Sequence, residues 1–302
     1  MQIVITGGTG LIGNAVAHEM GGAGHEVVIL SRDLAKVKGL PPNTRAVQWD
    51  GKTGAGWSSL LDGDTAIVHL AGESIAAGRW TESRKRRIRE SRVESGRAVL
   101  EAIRQAKEKP RTLLQGSAVG FYGPSGDEVV TEGHAPGTDF LADVCVDWEA
   151  STAGAEALGV RRALLRTGIV LSRDGGALPK MSLPFKLGAG GPLGGGRQWL
   201  PWIHLADEVG AIRFLLERDD ARGPFNLSAP QPLTNRDFSR ALGKALHRPS
   251  LAPAPGFALR LVLGEMADML LNGQRAVPQR LLEMGYSFRF PEAVQALRNL
   301  FD

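Results

Sequence analysis

Among the 302 residues there is a single cysteine, Cys145. An intramolecular disulfide is thereby excluded, and the scarcity of thiols points to a reducing, cytoplasmic compartment. No apolar run approaches the roughly 20 residues of a membrane-spanning helix. The N-terminus reads as a folded strand and not as a signal peptide, so no membrane is expected as a partner. No internal repeat or low-complexity tract is present, and no set of metal ligands is read. Charge of one sign is in short supply too: 36 Lys and Arg face 32 Asp and Glu, for a net +4 and a sequence pI near 9.4. That small excess suits an anionic nucleotide and does not call for nucleic acid. Glycine is abundant, with 39 residues, as in an α/β enzyme whose backbone approaches phosphates closely.

The first thirteen residues organise the rest. Gln2 to Thr6 form an apolar, β-branched run with the character of a buried parallel strand. Gly7, Gly10 and Gly13 follow at a spacing of three, and from Leu11 the pattern turns helical through Ala15, Val16 and Met20. Strand, glycine turn and helix in this order make a dinucleotide site: one glycine for the turn, one for the approach of a pyrophosphate, one for helix–strand packing. Thr9, Leu11 and Ile12 share the turn and the opening of the helix, whose free N–H groups face the phosphates. A second strand, Glu26 to Leu30, ends in Ser31-Arg32, where an acidic residue would bind a ribose 2′-hydroxyl and an arginine accommodates a 2′-phosphate. This favours NADP(H). A third strand from Ala46 to Trp49 closes on Asp50, placed to face the adenine. A fourth, Ala66 to Leu70, runs into Ala71-Gly72-Glu73, small residues that suit a backbone beside a cofactor.

Between Arg79 and Arg92 lie seven basic and two acidic residues. Nucleic-acid binding and a solvated helix face both produce such a run, and the solvated face is preferred, with Arg92 set apart by opening the pattern Val93, Val99, Leu100, Ile103 and pointing at the sheet edge. A fifth strand, Thr112 to Gln115, leads to Ser117 and Tyr122, two hydroxyls just past a strand end. Strands follow at Val160 to Arg166, Ile169 to Leu171 and Phe225 to Leu227. Helices are expected with Asp143 to Glu149, after Thr234-Asn235, and over Phe257 to Leu271 and Arg280 to Met284. Six glycines in nine residues, Gly188 to Gly196, predict a mobile lid that brings Arg197 or Trp199 to a ligand.

Together Thr6-Gly-Gly-Thr-Gly-Leu-Ile-Gly13, His69-Leu-Ala, Tyr122-Gly123 and Ile203-His204 with Asp207 resemble the extended short-chain dehydrogenase/reductases, which include nucleotide-sugar epimerases and dehydratases. Leu70-Ala-Gly-Glu73, Gly191-Pro-Leu-Gly194, Trp202-Ile-His204 and Gly273-Gln-Arg275 with Pro278 resemble, more narrowly, the atypical epimerase-like members with a small C-terminal extra domain. The resemblance implies an α/β, Rossmann-like doubly wound parallel sheet over residues 1–172, rejoined by segments around 200–230. A smaller substrate-side domain over 173–302 would close over the ligand. It also implies Arg197, Trp199, His204 and Arg275 as substrate residues. Active members of the superfamily carry Tyr-x-x-x-Lys on the helix after the fifth strand. By register this chain has Cys145 and Glu149 there, and Ser117 stands one residue ahead of the usual serine, whose place Ala118 takes.

Two functions follow. One is an NADP(H)-dependent oxidoreductase or epimerase acting on a small polar or nucleotide-sugar-like molecule, with Ser117 and Tyr122 as candidate proton donors in place of Cys145. The other is a catalytically silent NADP(H)-binding sensor or scaffold. The oligomeric state stays open, a homodimer included.

Overall fold

The computed structural model describes residues 1–302, apart from the side chain of Lys36. The N-terminal half alternates strands and helices: β1 (Gln2–Thr6), α1 (Leu11–Gly22), β2 (Glu26–Ser31), β3 (Thr44–Gln48), β4 (Thr65–His69), α2 (Glu82–Gln105), β5 (Thr112–Ala118), β6 (Val129–Val130), α3 (Phe140–Ala150) and β7 (Arg161–Thr167). Then come β8 (Ile169–Leu171), α4 (Leu178–Lys186), β9 (Trp199–Leu200), β10 (Trp202–His204), α5 (Leu205–Glu217), β11 (Gly223–Leu227), β12 (Leu233–Thr234) and α6 (Asn235–Ala245). The chain ends with α7 (Gly256–Leu263), α8 (Asp268–Leu271), β13 (Arg275–Ala276), α9 (Gln279–Glu283) and α10 (Ala293–Phe301).

Seven strands make one sheet in the order β11-β7-β5-β4-β1-β2-β3, every neighbour parallel. Strands buried on both faces carry near-continuous apolar runs, as β1, β2 and β4 do. Their residues alternate between two cores. Ile3, Ile5, Val27, Ile29 and Val68 face α1 and α5, while Val4, Val28, Leu30 and Ile67 face α2 and the two tryptophans Trp49 and Trp57. Sequence order reverses between β1 and β4, which opens a crevice at their carboxyl ends. A third core joins α4, α6 and α10 around Trp202 and Phe238.

The basic run forms the first half of α2, a helix face as the sequence reading has it, capped by the Thr81 hydroxyl, which accepts from Arg84 N. Several of its cations are paired within the chain: Arg84 and Arg87 meet Glu73, Lys85 meets Glu82 and Glu265, and Arg89 meets Asp147. Two elements differ from the sequence reading. The helix expected over Phe257–Leu271 is broken after Leu263. The other is α4, which the prolines at 179 and 184 conceal from a periodicity argument.

The glycine-rich segment 188–196 is pinned rather than lid-like. Its backbone bonds to the 251–254 strap through Gly190 O and Gly194 N, and to the start of α6 through Leu193 N with Asn235 Oδ1 and Gly196 O with Arg236 N. The glycines here buy close packing, since a Cβ on Gly191 would collide with the backbone of Ala252 while one on Gly195 meets nothing. Gly191→Ala is therefore expected to cost about 1–3 kcal/mol, the usual range for overpacking. Gly195→Ala should stay within about 0.5 kcal/mol of the parent. Denaturant midpoints of the two variants check this, and equal midpoints would show the loop to be loose.

Candidate functional site

The crevice is built first from β1. Gly7 has φ +71, and a Cβ there would come within 2.8 Å of the Leu70 carbonyl. A Cβ on Gly13 would strike the Gly7 carbonyl, so the turn closes only without side chains. The N-cap of α1 is Gly10, with no side-chain cap and no acidic residue in the first turn. The opening N–H groups of that helix, from Leu11 on, are thus left for an outside acceptor, and no carboxylate competes for the positive end of the dipole. Gly8 is buried, whereas Thr9 and Gly10 are exposed. Thr6 ties the floor of the crevice together. Its Oγ1 accepts from Leu70 N at 3.1 Å and Ala71 N at 3.2 Å, and lies 2.6 Å from His69 Nδ1. With two N–H donors already on it, the hydroxyl gives its own proton to His69. Burial drives the His69 pKa down to about 3, so the ring is neutral.

At the end of β2 the Arg32 side chain is exposed, lying along Gly51, where a Cβ would meet its Cδ at 3.5 Å, and it has no partner among the described residues. Ser31 Oγ bonds to the Asp33 backbone. Asp50 is exposed, and its carboxylate accepts from Lys52 N, Thr53 N and Thr53 Oγ1 of its own loop, which holds its pKa down.

Beyond β4, Leu70, Ala71 and Gly72 line the crevice wall, but the Glu73 carboxylate is turned to Arg84. Its backbone carbonyl accepts from Arg92 Nη1 at 3.0 Å. Arg92 reaches from α2 across the face of Trp148, 5.0 Å from the ring, and lies so near Gly72 that a Cβ there would meet its Cζ at 3.1 Å. Cys145 is buried beside this arginine. Burial, then the Glu149 carboxylate, push the thiol up to about 12, with Arg92 opposing. The cation that the sequence did not foresee near Cys145 thus exists, brought by another helix, and it does not reverse the shift.

Glu149 is buried and ion-paired. Arg166 of β7 meets it with two parallel bonds, Nε to Oε1 at 2.8 Å and Nη2 to Oε2 at 3.0 Å. Ser117 Oγ donates to the same Oε1 at 2.7 Å. Arg166 also donates to the Tyr122 hydroxyl at 3.1 Å and stacks on Phe121, 3.4 Å from the ring. Tyr122 donates onward to Asn226 Oδ1 at 2.7 Å, and burial raises its pKa. Glu132 closes the network by accepting from Asn226 N and Arg280 N. Both hydroxyls nominated as proton donors are consequently inside this network, each residue about 5% exposed.

Of the four expected substrate residues, two come together. The Arg275 guanidinium covers the Trp199 ring at 4.4 Å, and Trp199 Nε1 donates to Asp127 at 2.8 Å. Arg197 is exposed. His204 is buried and caps α5: its Nδ1 accepts from Ala206 N at 3.0 Å, its ring packs on Phe290, and its Nε2 has no hydrogen bond among the described residues. Two buried acids escaped the sequence reading altogether, Glu132 of the network above and Glu208. Glu208 of α5 is fully buried, accepts from Thr167 Oγ1 at 2.9 Å, and leaves Oε2 without a partner. Only its position, one residue past Asp207 on an otherwise apolar helix face, hinted at it.

A parallel sheet with this glycine turn and crevice defines a Rossmann-like protein of the extended, atypical short-chain dehydrogenase/reductase type with a C-terminal extra region. The family model described as the NAD dependent epimerase/dehydratase family matches residues 3–228, and a domain of unknown function (DUF1731) matches residues 254–300. The chain belongs to the NAD dependent epimerase/dehydratase family. It is 40% identical over 301 residues to the epimerase family protein YfhF of Bacillus subtilis, covering 99% of this chain and 98% of that one. It is 37% identical over 304 residues to mouse epimerase family protein SDR39U1, covering 99% of each. The crystal structure of human SDR39U1 (isoform 2) with NADPH superimposes with a TM-score of 0.89 at 35% identity, covering 99% of both chains.

The buried pair yields a direct test. Glu149→Ala leaves the Arg166 charge uncompensated and is expected to cost about 3–5 kcal/mol. Glu149→Lys, which puts back the residue type of the superfamily's catalytic motif, sets two cations against each other and is expected to fall further or not to fold. Urea denaturation of the soluble fractions measures both. A Glu149→Lys protein as stable as the parent would mean that the pair is not holding α3 to β7.

Proposed function

We propose that the chain binds NADP(H) across the β1–β4 crevice and uses it in oxidoreduction or epimerisation of a small polar or nucleotide-sugar-like molecule, without a Tyr-x-x-x-Lys pair. The observation that carries the reading is the uncapped N-terminus of α1 behind the Gly7–Gly13 turn, with the free Arg32 at the end of the next strand. In this reading the N–H groups of Leu11, Ile12 and Gly13 hold the pyrophosphate beside Thr9 and Gly10. Ser31 and Arg32 hold a 2′-phosphate, Gly7, Leu70, Ala71 and Gly72 floor the cleft, and Arg92 brings a cation to the nicotinamide end. The dinucleotide, when bound, supplies or accepts hydride. The fit is supported by the crystal structure of human SDR39U1 with NADPH, 35% identical to this chain. Trp199 and Arg275, beside the third core, are the substrate-side groups, and that core with the C-terminal helices is the substrate domain.

A second reading, a silent sensor or scaffold, draws on the commitment of Ser117 and Tyr122 to the buried network. Following absorbance of the reduced cofactor with a panel of carbonyl compounds separates the two: turnover supports the first, binding without turnover the second. The cofactor itself is tested through Arg32. A guanidinium on a phosphate contributes about 1.5–3 kcal/mol, so NADPH is expected to bind roughly 10–150-fold more tightly than NADH. Arg32→Ala should erase most of that ratio. Equal affinities of the unmodified protein for both dinucleotides refute the assignment.

A further inference from the structure

Ser117, Tyr122 and Glu149 are engaged in one network and Cys145 is held as a thiol; of the two buried carboxyl groups with an unpartnered oxygen among the described residues, Glu132 takes two N–H bonds on its other oxygen and Glu208 a single hydroxyl bond. Glu208 is 0% exposed, its Oε1 takes a single hydrogen bond from Thr167 Oγ1, and its Oε2 has none. Thr167 is half-buried at the carboxyl end of β7, the end at which open parallel sheets bind ligands, and the half-buried Gly168, Ile169 and Val170 continue that edge. Most charged and titratable groups on the surrounding elements are engaged elsewhere. Asp207 accepts from the Arg289 and Phe290 N–H groups, Tyr286 donates to the Asp207 carbonyl, and His204 caps α5 through Nδ1, its Nε2 left without a hydrogen bond among the described residues. On β7, Arg161 donates to the Leu215 and Leu216 carbonyls of α5, and Arg166 pairs with Glu149. On α1, Glu19 pairs with Arg213 and His18 is exposed, while β5 offers only Gln115 and Ser117. No cation among the described residues meets Glu208. A carboxylate in that volume with one hydrogen bond is disfavoured, and burial pushes its pKa up to about 8.

We propose that Glu208 and Thr167 form a buried proton store at the nicotinamide end of the cleft, in which Glu208 keeps a proton behind the sheet edge and the Thr167 hydroxyl relays it to the ligand. The proposal rests on the NADP(H) reading above. When a ligand carbonyl gains hydride from the dinucleotide, its oxygen takes the Thr167 hydroxyl proton, and Thr167 takes the Glu208 proton in its place. Glu208 is left as a carboxylate accepting from Thr167, and the reverse transfers serve the opposite direction. Glu208 thus acts through Thr167 and does not itself touch the ligand.

The test uses the full chain, the variants Glu208→Gln and Thr167→Val, and NADPH as probe. Without NADPH, the parent is expected to lose stability relative to Glu208→Gln as pH rises from about 4.5 towards 8. Over that range the unfolded carboxyl has given up its proton and the folded one has not, and above it the difference levels off. Parallel stability curves would overturn the proposal. With NADPH at pH 8, calorimetric titrations in two buffers of different ionisation enthalpy should show the parent taking up as much as about half a proton, because Glu208 is half-ionised there and an anionic dinucleotide that displaces water favours its neutral form. Glu208→Gln should keep its NADPH affinity and lose the uptake. Thr167→Val should move the pH of maximal uptake upward, since it removes the bond that favours the charged form. Binding with equal uptake in parent and Glu208→Gln overturns the store and leaves the cofactor reading standing. No binding of NADPH to the parent overturns both.

Discussion

The ion pair of Glu149 with Arg166 holds the site end of this molecule together. Burying two charges costs several kcal/mol each, and only a well-shaped pair with further hydrogen bonds recovers it. Here the guanidinium is bidentate, stacked on Phe121, and bonded to Tyr122, while the carboxylate also accepts from Ser117. Burial alone would weaken the Arg166 charge, and Glu149 more than offsets it. Through Tyr122 and Asn226 the pair reaches β11, and through Glu132 it reaches the start of α9, so α3, β5, β7, β11 and the C-terminal segment share one polar core. Each member is fixed by the others, which is why Glu149 cannot simply be exchanged.

The same pair explains what becomes of the cleft. An anion at this position, left free, would repel a dinucleotide phosphate or a developing alkoxide. Arg166 draws Glu149 out of the cleft and neutralises it locally. The cation that stands beside Cys145 comes instead from α2, where Arg92 lies flat between Gly72 and Trp148. A guanidinium in that place keeps its charge despite burial lowering its pKa, because its ordinary value is so high.

Much of this was legible in the sequence where a local rule suffices. The β-branched runs alternate between two cores, and the glycine spacing after β1 needs only the turn geometry, so the sheet, its class and its crevice follow from short windows of residues. The polar core was not legible in the same way. Arg166 sits at the end of Leu-Leu-Arg, one of three arginines in a strand buried on both sides, and Glu149 lies on an apolar helix face. Either residue alone reads as an oddity, and the two are 17 residues apart. Opposite charges stranded in apolar surroundings were the available signal. The bonds of Tyr122 and Ser117 were hidden for the same reason: nearness to a strand end locates a hydroxyl but not the direction in which it bonds. The glycine tract misled because glycine serves close packing as readily as motion, and only the bonds to the 251–254 strap and to α6 distinguish the two.

Two buried carboxyl groups therefore stand near the carboxyl ends of the strands with opposite surroundings. Glu149 meets a guanidinium and a hydroxyl, whereas Glu208 meets one hydroxyl and no cation. Environments that differ in this way push acids apart in proton affinity, and such a split is how one site keeps both an anion and a neutral acid at the same pH. The Cys145 thiol is held protonated, its pKa pushed up to about 12, and the second tyrosine in the chain, Tyr286, is committed to the Asp207 carbonyl. Among these groups only a carboxyl with a pKa near 8 changes its proton within the physiological range, and only Glu208 has a hydroxyl between itself and the cleft edge. If this cleft moves a proton, the physical chemistry of its walls puts that proton on a carboxyl group behind β7 rather than on the helix that carries Cys145.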